Sequence, residues 1–161
     1  MVEVQTKTGL VPPQVLGSLP GVALFRAVMA GEMPHPPLTG GIPMAVTEAD
    51  EGRVVWTVRA PDWFLNPMGG VHGGFAMTVL DSALGCAVHS ALPAGKGYTS
   101  VEVKVNMTRP VPVGEDLRCE GKLITLGGRV GTSEARLTDA RGRVLAFGTS
   151  TCLVFDVAAP G

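Results

Sequence analysis

Net charge is what this chain most lacks. Thirteen Lys and Arg against fourteen Asp and Glu leave −1 at neutral pH. That balance offers no electrostatic footprint for a nucleic acid, and none is expected as a partner. Lys and Arg are somewhat enriched after Ser100, which leaves room for a local anion site. Cysteine is sparse too. Cys86, Cys119 and Cys152 are odd in number and lack CxxC spacing, so they read as reduced thiols and the expected compartment is cytoplasmic. His35, His72 and His89 have no metal-ligand spacing, and no metal is expected. No basic segment leads into an N-terminal apolar run, so no signal peptide is expected. Residues 73–92 are apolar enough to raise a membrane question. Asp81 and His89 inside that stretch argue against a span, because ionisable groups are expensive in lipid.

What the chain has is material for a core: 161 residues, 45% hydrophobic and 17% charged, enough for one domain. Residues 1–32 read as an N-terminal arm and a short helix. The first twenty are punctuated by Pro and Gly, and residues 20–30 carry Pro at the start and Gly31 just past the end. Residues 33–157 read as the single domain. Within it, residues 42–49 and 53–60 flank the turn Asp50-Glu51-Gly52 as a hairpin. A helix is predicted over residues 72–91. Phe75, Ala76, Val79, Leu80, Ala83, Leu84, Ala87, Val88 and Ala91 recur at three- and four-residue steps as its core stripe. Thr78, Ser82, Gly85 and Cys86 make the other side small, which permits close approach of another surface. Residues 98–108 then alternate Val101, Val103, Val105 and Met107 against Glu102, Lys104 and Asn106, a strand pattern ended by Arg109-Pro110. Residues 117–126, 130–139 and 143–155 follow through hairpin turns. The expected order is two strands, one long helix and a four-strand meander. That is an α+β fold with a curved antiparallel sheet of about six strands wrapped around one central helix.

The densest chemistry lies between Asn66 and Asp81, in the run NPMGGVHGGFAMTVLD. Gly73 and Gly74 open the helix. The first amides of a helix have no intrahelical acceptor, and a missing Cβ lets a carbonyl oxygen come close. Such a terminus is an oxyanion site at the positive end of the helix dipole. Asp81 is a lone acid inside an apolar helix, costly to bury without a role. Together these features point to acyl transfer or hydrolysis. Gly73 and Asp81 stand eight residues apart, about 12 Å along one helix, too far to touch one carbonyl carbon. A site using both is more easily assembled from two chains, which predicts a homodimer with two equivalent shared sites.

Asn66-x-x-Gly69-x-x-His72-Gly73-Gly74, with Asp81 nine residues after His72 and the strand TSVEVKVNMTRPV ending in Arg109-Pro110, resembles the hotdog-fold acyl-CoA thioesterases of the PaaI type, within the 4-hydroxybenzoyl-CoA thioesterase-like superfamily. The resemblance covers residues 33–155. It implies a hotdog fold and hydrolysis of an acyl-CoA thioester to free acid and CoA. CoA is then part of the substrate, and no cofactor is required. It implies that Gly73 donates to the oxyanion and that Asp81 acts as general base on water or as nucleophile. It is compatible with a dimer or a dimer of dimers.

Other residues carry open alternatives. Asn66 can donate to water, a carbonyl or Asp81, or simply open an Asn-Pro turn. His72 can polarise the carbonyl, or cap the helix and orient the loop. Gly74 is placed at the substrate or only in tight packing. Ser100 or Thr99 could hold the attacking water, and Ser100 aligns better with the family strand; either could equally be a strand-edge hydroxyl. Trp63 and Phe64 line the acyl pocket or only pack their loop. Arg109, Arg129, Arg141 and Arg143 are candidates for CoA phosphates. Two rival functions remain: a hotdog hydratase or dehydratase pairing His72 with Asp81, and a non-catalytic acyl-CoA-binding sensor.

Overall fold

Six strands form one antiparallel sheet: β1 (Met44–Asp50), β2 (Arg53–Val58), β3 (Lys96–Met107), β4 (Leu117–Leu126), β5 (Val130–Thr138) and β6 (Val144–Asp156), in the order β1-β2-β4-β5-β6-β3. The helices are α1 (Pro13–Leu16), α2 (Gly21–Met29) and the long α3 (Gly73–Ser90). The computed structural model describes residues 7–157; residues 1–6 of the expected arm lie outside the described residues. The hairpin and the long helix stand where the sequence pattern puts them. The four-strand meander does not. Only β4-β5-β6 is a meander, and β3 lies at the far edge, paired with β6 from Lys96↔Asp156 to Met107↔Ala146. The cause is local: Pro110 and Pro112 cannot donate to a ladder, so the chain after β3 leaves the sheet instead of turning back.

α3 lies against the inner face of the sheet. Its stripe of Phe75, Ala76, Val79, Leu80, Ala83, Leu84, Ala87 and Val88 is at most 1% exposed. Most of it packs on Met44, Val54, Val58, Leu117 and Leu137 in one core. Ala91, the last residue of the predicted stripe, is the C-cap. The contact between layers is close enough to exclude a methyl group. A Cβ on Gly121 of β4 would collide with the Ala83 carbonyl. Nearby, the Cys119 Sγ and Ser133 Oγ donate to the helix carbonyls of Val79 (3.3 Å) and Leu84 (2.9 Å). These two inward-facing polar atoms of the sheet are thus satisfied by the helix backbone.

α2 closes the C-terminal end of α3. Leu24, Phe25 and Val28 are buried, and Phe25 meets the His89 ring edge-on at 5.5 Å. Tyr98 lies on another side of His89, also at 5.5 Å. No helix among the described residues is long and apolar enough to cross a membrane.

β3 contains one irregularity that matters for the site. Ser100 pairs with Cys152 and Glu102 with Thr151, so Val101 is an extra, unpaired residue. The bulge changes which side chains face α3. Before it, Tyr98 and Ser100 do; after it, Val103 and Val105 pack on the core. The alternation predicted Val101 in register with Val103 and Val105, yet Val101 is 61% exposed.

Two outcomes are expected. Gly121→Ala should lower unfolding free energy by about 1–3 kcal/mol or more, since backbone rather than a flexible side chain blocks the added methyl, as chemical denaturation will measure. Burial also holds the His89 imidazole below its ordinary 6.5. The unfolded chain therefore takes up this proton first as pH falls. The stability from neutral His89 is complete above the unfolded value and is lost as pH drops below it. Melting temperature should fall between about pH 7.5 and 5.5, and less steeply in His89→Gln.

Candidate functional site

The loop before α3 is closed by its own first residue. Asn66 Oδ1 accepts the amides of Met68 (2.9 Å) and Gly70 (3.2 Å), and the Asn66 amide donates to the Gly70 carbonyl at 2.8 Å. Gly69 takes φ +81°, a left-handed conformation that glycine adopts without strain. The Asn66 side-chain NH2 makes no hydrogen bond among the described residues and remains a donor. The His72 amide then donates to Phe64 at 2.8 Å, fixing the approach to the helix.

His72 is the N-cap. Its Nδ1 accepts the Gly74 amide at 2.9 Å, which requires a neutral ring with the proton on Nε2. The two glycines are thereby separated. The Gly74 amide is taken, whereas the Gly73 amide has no acceptor among the described residues. Gly73 also borders a cavity of about 350 Å3, walled by Val71, Ala76, Met107, Val111 and Leu145. Arg109 stands at the same cavity, exposed, with one guanidinium nitrogen donating to the Val144 carbonyl at 2.7 Å.

Asp81 lies two turns further on, opposite the core stripe. It is exposed, not buried as a lone acid within an apolar helix suggests. Ser100 Oγ donates to Asp81 Oδ1 at 3.1 Å, so β3 orients the carboxylate. The neighbouring hydroxyls do not: Thr78 and Ser82 donate back to the carbonyls of Gly74 (2.8 Å) and Thr78 (3.0 Å). Burial pushes the Cys86 thiol up to about 12; Trp56 offsets part of that and the Asp81 charge adds to it. Burial likewise drives Tyr98 well above 10, with smaller contributions from Cys86, Cys152 and Asp81. Neither is a nucleophile at neutral pH.

The structure sorts the remaining candidates. Thr99, adjacent to Ser100 in the strand, is exposed and pairs with Leu153; only Ser100 reaches Asp81. Trp63 is 65% exposed and lies 4.8 Å from Phe64, which meets Phe75 edge-on at 5.7 Å. Phe64 also approaches Gly74, yet neither ring lines the cavity beside Gly73. Arg143 is bound to Asp139 at 2.7 Å in the β5–β6 turn, and Arg129 lies in the β4–β5 turn. Among the described residues no three or more His, Cys, Asp or Glu side chains gather as a metal-ligand set. Sequence reasoning missed the cavity walls, Met107 above all. Its place in the β3 alternation was the available signal, but the alternation alone does not say what lies opposite.

Residues 68–146 match the Thioesterase superfamily model, and the six-strand antiparallel sheet with one long helix against it is the hotdog-like fold of solved thioesterase neighbours. A phenylacetic acid degradation-related protein of Ralstonia eutropha has the same fold at TM-score 0.74 and 28% identity, covering 80% of this chain and 98% of that one. The Escherichia coli PaaI protein from the phenylacetic acid degradation operon superposes at 0.73 and 20% identity, over 86% and 96%. A Streptococcus mutans protein bound to acetyl CoA does so at 0.65 and 22%, over 70% and 89%. A Halobacterium salinarum protein, whose esterase assignment is itself inferred, is 33% identical over 93 residues, 54% of this chain; the match spans only 62% of that relative's length.

Removing the cap should be visible without any substrate. His72→Ala should cost about 0.5–2 kcal/mol in chemical denaturation, and His72→Asn, which restores a capping oxygen, should recover most of it.

Proposed function

We propose that the protein hydrolyses an acyl-CoA thioester to free acid and CoA. The observation that carries this reading is the open Gly73 amide at the positive end of α3, on a residue that borders a cavity, while its neighbour Gly74 is already capped. The thioester carbonyl oxygen accepts from the Gly73 amide, and charge developing there is stabilised by a donor that needs no reorganisation. Asp81 takes a proton from water as the water oxygen bonds the carbonyl carbon. The tetrahedral intermediate then expels the CoA sulfur, which takes up a proton. Direct attack by the Asp81 carboxylate, followed by hydrolysis of the acyl-enzyme anhydride, uses the same groups. Ser100 positions Asp81, and the free Asn66 NH2 is a donor for substrate or water.

Gly73 and Asp81 share one helix and lie about 12 Å apart along it, so the reading joins Gly73 of one protomer to Asp81 of a second. The acetyl CoA bound by the Streptococcus mutans relative and the shared fold of the Ralstonia eutropha relative support the CoA-ester class. Pairing of His72 with Asp81 for hydration is less well supported, because His72 Nδ1 already serves the cap.

Thiol release from a panel of aromatic and aliphatic acyl-CoAs tests the reaction. Asp81→Asn should keep the fold and lower turnover about 10²–10⁴-fold. Equal rates in the two proteins, or no release from any ester, would overturn the reading. Sedimentation of the active protein should give a dimer or a larger even assembly. An active monomer would sink the shared site.

A further inference from the structure

We propose that Met107 sets the size limit for the acyl group, as the yielding side chain that lies against Gly73 in the cavity wall. This deepens the proposed acyl-CoA reading and rests on it. Met107 is the last residue of β3, and its side chain crosses to the N-terminus of α3. A Cβ on Gly73 would lie 2.8 Å from both its Sδ and its Cε. The thioether is thus in contact with the residue whose amide is open.

The walls of the cavity differ in mobility. Ala76, Leu145 and Ala146 line it from the packed core at 1%, 2% and 0% exposure. Interiors at that density do not give way to one more methylene without strain. The backbone next to Met107 is equally fixed: the Thr108 and Arg109 amides both donate to Leu145, at 2.8 and 3.0 Å. The Thr108 hydroxyl also reaches the Val144 and Leu145 carbonyls. Met107 itself is 52% exposed, unbranched and free to change rotamer. A larger acyl group entering beside Gly73 therefore moves Met107, while a small one leaves the thioether in place as a lid on the unused volume. Pro110, Val111 and Val71 add apolar lining around Met107, with Thr108 and Arg109 as the polar members, so the Met107 side of the cavity suits a hydrocarbon or aromatic group.

The test measures affinity for non-hydrolysable S-alkyl-CoA thioethers of graded size, from S-ethyl through S-hexyl to S-benzyl and S-naphthylmethyl, by calorimetry. Wild type, Met107→Ala and Met107→Phe are compared. Met107→Ala should shift the preference toward the bulky analogues by about tenfold relative to S-ethyl, and Met107→Phe should shift it the other way. Opposite shifts cannot come from a common loss of folding. An unchanged order of affinities in all three proteins would overturn the proposal, as would an absence of binding to every thioether. Thiol release abolished by Asp81→Asn is scored separately. Its failure removes the hydrolytic reading and leaves the binding order to decide the role of Met107.

Discussion

The contact between α3 and the sheet is the constraint on which everything else depends. Where Gly121 passes beneath Ala83 there is no room for a side chain, so helix backbone and sheet backbone meet directly. That closeness lets Cys119 and Ser133 end on helix carbonyls and leaves the core stripe almost fully shielded from solvent. It also defines what remains outside. The residues of α3 turned away from the sheet, from Gly73 through Asp81, are those that can face a ligand or another chain.

Along that open side, β3 runs antiparallel to α3 and meets it at three places. Tyr98 packs against Gly85, Ser100 bonds Asp81, and Met107 covers Gly73. Each contact pairs a side chain from the strand with a small or polar position on the helix. The small residues Gly85 and Gly73 are there because an aromatic ring and a thioether lie where their Cβ atoms would be.

Much of this was legible in the residues. The helix announced itself through a stripe repeating at three and four, and its start through two glycines after a capping type of residue. Strand boundaries followed from Gly and Pro punctuation. Strand order did not, because pairing of β3 with β6 joins residues about fifty positions apart and no local pattern encodes it. The site was legible in composition but not in assignment. The resemblance singled out Gly73 over Gly74, but the residues themselves do not; the physical difference is the His72 cap, which takes the Gly74 amide and leaves that of Gly73 open. Thr99 and Ser100 are equivalent hydroxyls until a face is assigned. That face depends on a bulge at Val101 that strict alternation does not foresee. Met107 read as one more apolar strand residue, because its partner across the cavity lies 34 positions upstream.

The Val101 bulge has a consequence for how such a strand can change over time. Residues before and after it are held in two different reading frames, as in a message with one inserted letter. A single-residue deletion there would merge the frames and turn either the Asp81 hydroxyl contact or the cavity wall out to solvent. Length, more than identity, is what this part of the chain has to preserve.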